Sequence, residues 1–164
     1  MITSEPNFSL NSPLVQLLFS EYQFNIKRSG NKELIFDRIR KKFVVLTPEE
    51  WVRQHLVWYF IETHNFPAAL ISIEKKITLH GLTKRTDIVL FNKQATPVML
   101  IECKAPAIKL SQHVLDQAGR YNLVLKVPYL VISNGNDTIC AEIIHSSNTF
   151  KILDTLPSAE KLLL

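Results

Sequence analysis

Arg85-Thr86-Asp87-Ile88-Val89-Leu90-Phe91 and Leu100-Ile101-Glu102-Cys103-Lys104 decide the fold and point to the chemistry. Each reads as an apolar strand with an acid set into it. A carboxylate inside an apolar strand is costly unless something pairs with it. Side chains alternate along a strand, so Glu102 and Lys104 share a face with Leu100, while Ile101 and Cys103 take the other. Consecutive antiparallel strands set the start of one beside the end of the next, which brings Asp87 near Glu102 and Lys104. Two carboxylates meeting there repel unless one is protonated or a cation lies between them. A hard divalent ion, Mg²⁺ or Mn²⁺, suits oxygen ligands. The natural substrate for metal, lysine and water together is a phosphodiester.

Outward from this pair, the elements fall into order. Thr47-Pro48-Glu49-Glu50 starts a helix. Thr47 caps, Pro48 suits the first helical position and Glu50 completes a capping box. Its buried stripe is Val52, Leu56, Tyr59, Phe60 and Thr63, and it stops near His64-Asn65. Residues 69–79 read as a strand, 85–91 as a second and 98–104 as a third. A helix follows over 111–126, with Val114, Ala118, Tyr121 and Leu125 inward. Gly119 within it costs about 1 kcal/mol against Ala, which suggests close packing there. Strands over 129–133 and 139–144 flank the turn Asn134-Gly135-Asn136-Asp137. A short strand and a helical stretch end the chain. The third strand, crossover helix and fourth strand form a βαβ unit, so those two strands should be parallel. The fold class is α/β, a mixed sheet flanked by helices.

The 164 residues form one domain with an ordinary apolar fraction of 46%. Its expected divisions are a loose arm over 1–21, a basic extended hairpin over 22–46, a core over 47–145 and a tail over 146–164. No apolar run reaches membrane-span length, and the N-terminus lacks a basic-then-apolar leader. Cys103 and Cys140 lie in apolar runs without ligand-like Cys/His spacing, as expected of buried thiols in a reducing cytoplasm. Net charge is +4, but Lys27 to Lys42 alone carries +5, leaving the remainder at −1. Such a segment is either a solvated hairpin or a phosphate-backbone contact through Arg38, Arg40, Lys41 and Lys42. The histidines show no metal-site spacing.

Asp87 followed, after fourteen intervening residues, by Glu102-Cys103-Lys104 resembles the PD-(D/E)XK nuclease superfamily. The usual Pro before the Asp is Thr86 here. The wider stretches Leu46-Thr47-Pro48-Glu49-Glu50-Trp51-Val52-Arg53-Gln54, Lys84-Arg85-Thr86-Asp87-Ile88-Val89 and Leu100-Ile101-Glu102-Cys103-Lys104-Ala105-Pro106 resemble the N-terminal nuclease domain of type I restriction enzyme R subunits, in a small stand-alone form.

That resemblance implies a restriction-endonuclease-like core in αβββαβ order. It also implies a Mg²⁺- or Mn²⁺-dependent deoxyribonuclease, an endonuclease of restriction-modification. Asp87 and Glu102 would be metal ligands, and Lys104 would be catalytic. Glu49 becomes a third ligand, since Glu49 and Arg53 match the Glu-x-x-x-Arg of the R-subunit domain and Glu50 is explained by capping. Gln117 and Tyr121 match the Gln-x-x-x-Tyr of RecB-like members and join the catalytic set. Arg85 is placed to touch phosphate or the carboxylates. The implied partners are DNA, a second copy, or restriction-complex subunits; no phosphate-cradling motor motif is present.

Each residue also has a plain structural explanation. Asp87 can be a strand-end acid, Glu102 and Lys104 a cross-strand salt bridge, and Glu49 a helix-dipole partner. Tyr121 can be core, and Gln117 can satisfy a backbone group. The alternative function is a non-catalytic nucleic-acid-binding or complex-forming module on the same fold.

Overall fold

The computed structural model describes residues 19–79, 81–111, 116, 119, 122, 124–147 and 149–164. The expected arm over 1–21 therefore lies mostly outside the described residues, as do Gln117 and Tyr121.

The chain begins with β1 (Ile26–Ser29), β2 (Lys32–Asp37) and β3 (Lys42–Val45), an antiparallel three-stranded sheet. The extended hairpin expected over 22–46 thus has three strands rather than two. Asp37 makes the extra turn: its Oδ1 accepts the amides of Ile39 and Arg40 at 2.8 and 2.7 Å, and Lys41 takes a left-handed φ of 54°. Helix α1 (Pro48–Trp58) follows, capped by Thr47, whose side chain accepts the Glu50 amide at 3.0 Å. A π-helical turn over Tyr59–Thr63 ends it, and Asn65 (φ 55°) turns the chain away. Thr63, expected to be buried, is exposed at this last turn.

The next segments are β4 (Ile71–Ile73), β5 (Lys76–Leu79), β6 (Leu82–Arg85), β7 (Ile88–Phe91) and β8 (Pro97–Cys103). The two strands expected over 69–79 and 85–91 are each split. Residues 68–70 form a 3₁₀ turn instead, and the splits face one another, with Glu74 at φ 51°. Asp116, Gly119, Asn122, Val124 and Leu125 are helical. That segment closes where the Asn122 side chain exchanges hydrogen bonds with Val127 at 2.7 and 3.1 Å. A Cβ on Gly119 would meet nothing within 4 Å among the described residues, so the expected close packing there is absent.

β9 (Tyr129–Ser133), β10 (Thr138–Ile144), β11 (Thr149–Leu153) and α2 (Ala159–Leu163) complete the chain. The main sheet is mixed, in the order β11-β10-β9-β8-β7-β4, and its one parallel pair is β8–β9, as the βαβ reading expects. One face packs Met99, Ile101 and Cys103 against α1 and Ile35 of the small sheet. The other packs Val89, Leu100, Leu130 and Ile132 with Leu125 of the helical segment. The residues after 146 do more than trail: β11 pairs along β10, and Leu162 is buried. Among the described residues no helix is long and apolar enough to cross a membrane.

Candidate functional site

The site lies where β7 begins and β8 ends. Ile88 pairs with Ile101, so Asp87 stands one step beyond that pair, beside Glu102. The Cys103 amide donates to Asp87 Oδ2 at 2.7 Å. Lys104 follows, held by its amide donating to the Ser133 carbonyl at 2.9 Å, and its Nζ donates to Glu102 Oε1 at 2.9 Å. Local alternation and a short hairpin bring these three groups together. Thr86 has a purpose of its own. Its amide and hydroxyl both donate to the Lys75 carbonyl, at 3.0 and 3.1 Å. A proline there would lose both of these bonds, having neither an N–H nor a hydroxyl.

α1 supplies the other half. Arg53 Nη2 meets Asp87 Oδ1 at 2.6 Å and Glu49 Oε1 at 3.3 Å, while its Nη1 is in close contact with Glu50. Glu49 lies half-exposed toward Asp87 and Lys104. Burial, then Asp87, raises its carboxyl above its ordinary value. Glu50 points the other way, its carboxylate taken by Arg40, Arg53 and Gln54. This network takes the place of the capping-box role read from the sequence: among the described residues the Glu50 carboxylate accepts from Arg40, Arg53 and Gln54 and not from the Thr47 amide.

Electrostatics sharpen the picture. Burial, then the charge of Asp87, lifts the Glu102 carboxyl to about 7 despite its bond to Lys104. Burial pushes Lys104 down, but Glu102, Asp87 and Glu49 outweigh it and raise the ammonium above its ordinary value. The two shifts agree: three acids share one lysine, so the lysine gains more than each acid does. Glu102 Oε2 is buried with no hydrogen-bond partner. Among the described residues no three His, Cys, Asp or Glu side chains converge closely enough to hold a metal as they stand. The donor chemistry still fits a hard cation. Glu102 offers an unengaged oxygen, and Asp87 engages each of its oxygens only once, leaving a lone pair on each.

The remaining basic residues divide. Arg40 is turned inward onto Asp37, Glu50 and Glu74 at 2.6, 2.6 and 2.9 Å, which removes it from the expected phosphate contacts. Arg38 pairs with Glu62 at 2.7 Å and lies over the Trp58 ring. Lys41, Lys42 and Arg85 are exposed. Sequence reasoning missed that Asp37, Arg40, Glu50, Arg53 and Gln54 form one buried polar network ending on Asp87. The available signal was the run Glu50, Arg53 and Gln54 at helical spacing, which places three polar groups on one face of α1. Cys103 and Cys140 are buried free thiols.

The sequence profile of the type I restriction enzyme R protein N terminus (HSDR_N) matches residues 48–157, more than half of the chain. The chain belongs to this family. The R-protein N-terminal match takes in Glu49, Arg53, Asp87, Glu102 and Lys104 and leaves β1–β3 outside. A solved structure similar to this R-protein N-terminal chain is described as a fragment of an HsdR subunit of a type I restriction enzyme from Vibrio vulnificus YJ016. It shares 20% identity at a TM-score of 0.42, covering 56% of this chain and 19% of that one. The chain therefore spans about a fifth of that relative's length. No curated protein matches it.

Proposed function

We propose that this chain is a metal-dependent deoxyribonuclease, an endonuclease of the PD-(D/E)XK type with a restriction-endonuclease-like core, acting in restriction-modification. One observation carries the reading: Glu102, beside Asp87, keeps one buried oxygen without a partner while its other oxygen bonds Lys104. An ion pair kept only for stability has no use for an orphaned oxygen and a second carboxylate alongside. Asp87, Glu102 and Glu49 would hold Mg²⁺ or Mn²⁺, which acidifies water and stabilises charge on the scissile phosphate. Lys104 orients the attacking water or offers its charge to a phosphate oxygen. Arg53 fixes Asp87 from behind. Gln117 and Tyr121 join the substrate side on their motif alone. Lys41, Lys42 and Arg85 are the exposed candidates for backbone contact, with Arg38 shared with Glu62. DNA is the partner, and a second copy or restriction-complex subunits would supply the second cut. The cytoplasm is where such a protein would work.

Plasmid, linear duplex and single-stranded DNA, each incubated with Mg²⁺, Mn²⁺ or EDTA, test the reading. Cleavage should vanish with EDTA and in Asp87→Ala and Lys104→Ala. The second reading, a binding module without turnover, draws on the engagement of both Asp87 oxygens by Arg53 and the Cys103 amide. Salt-sensitive DNA binding with no cleavage of any substrate would select it.

A further inference from the structure

Between Glu74 and Asp87 the chain carries Lys75, Lys76, Lys84 and Arg85 and no acid. These cations sit on β5 and β6, or at their base, and that ribbon is not a separate hairpin. Ile73 faces Ile88 in the main sheet and Lys76 faces Arg85 beyond the bend, in one unbroken register. The bonds between are Glu74 amide to Asp87 carbonyl and Thr86 amide to Lys75 carbonyl, both 3.0 Å. The ribbon is therefore the outer half of a single bent hairpin, and Asp87 stands at its bend.

Ile77 is buried and pins one face of the ribbon. Alternation puts Lys76, Thr78, Thr83 and Arg85 on the opposite face, and all four are exposed. Lys76 stands directly across from Arg85. Like charges at a cross-strand pair destabilise a ribbon unless an anion lies over them. Among the described residues none of the four cations is ion-paired. Lys75 Nζ rests over the Phe91 ring at 4.5 Å, and Glu74 is committed to Arg40.

We infer that the β5–β6 ribbon is a grip for duplex DNA, laying Lys76 and Arg85 on phosphates and Thr78 and Thr83 in the groove. This rests on the reading of DNA as the substrate. Four-residue strands span about 13 Å, and the major groove, roughly 12 Å wide, admits a two-stranded ribbon. The grip starts two residues from Asp87, so bound backbone is delivered to the acidic cluster that would otherwise repel it.

The test is fluorescence anisotropy with a labelled duplex in EDTA, where no cutting intervenes. A double variant, Lys76→Gln with Arg85→Gln, should melt no lower than the natural chain, since it relieves the like-charged cross-strand pair. Its plot of log affinity against log salt should be shallower by about 2. Over a fourfold rise in salt the natural chain then loses about tenfold more affinity than the variant. Lys151→Gln, on the far edge strand β11, should match the natural chain. An unchanged slope in the double variant would overturn the inference, as would no DNA binding by the natural chain. Equally tight binding of double-stranded RNA with the same dependence would overturn it too. A parallel Mg²⁺ digest separates the two readings. A shallower slope without cleavage keeps the grip and removes the nuclease, and cleavage with an unchanged slope does the reverse.

Discussion

Replacing Glu102 by Gln removes one charge and almost no volume. The unfolded chain ionises this group near its ordinary 4.5, whereas burial and Asp87 hold it at about 7 in the folded chain. A carboxyl raised in this way favours folding fully below pH 4.5 and loses that contribution as pH climbs through 7. Gln stays neutral throughout. In EDTA the variant should therefore be more stable than the natural chain by about 1 kcal/mol at pH 5 and about 3 kcal/mol at pH 8. The attraction of Lys104 is already contained in the value of about 7, and any difference between Gln and the protonated carboxyl is common to both pH values, so the widening of about 2 kcal/mol between them is the decisive quantity. Urea unfolding followed by tryptophan fluorescence reads it. A gap that stays constant or narrows toward pH 8 would refute the reasoning that Glu102 is held charged at a cost. Mn²⁺ at a hundredfold excess over the natural Kd should narrow the gap, stabilising the natural chain by about 2.7 kcal/mol and the variant, with its weaker site, by about 1.4 kcal/mol or less.

Three further outcomes follow from the same geometry. Arg53→Met leaves Glu50 and Asp87 buried without their shared cation and should cost about 3–5 kcal/mol in urea unfolding. His55, depressed to about 4 by burial, favours folding above pH 6.5 and loses that contribution as pH falls. Between pH 7 and pH 5 the natural chain should lose about 2 kcal/mol against His55→Gln, measured in matched urea titrations. A Cβ at Gly119 meets nothing within 4 Å among the described residues, so Gly119→Ala should raise stability by about 1 kcal/mol, visible as a higher melting temperature.

What could be read beforehand was local. Asp87, Glu102 and Lys104 are neighbours because strand alternation and a short hairpin are encoded within a few residues. Thr47-Pro48 marks a helix start in the same way, and the crossover fixes β8 and β9 as parallel. Long-range partnerships were hidden. Arg40 in a basic run looks like a phosphate contact, and nothing nearby in sequence announces that Glu50 and Glu74 close around it. The bend at Glu74 and Thr86 was equally hidden, since the alternation of Ile71, Ile73 and Ile77 runs on past it. Glu50 already read as a capping-box residue, which concealed its place in the buried network.

The most direct measurement is calorimetric titration of Mn²⁺ into the natural chain and into Asp87→Ala and Glu102→Gln. One bound ion in the natural chain, weakened at least tenfold in each variant, is the expected result. No heat in the natural chain, with or without DNA present, would contradict the assignment of these carboxylates to a metal-dependent site.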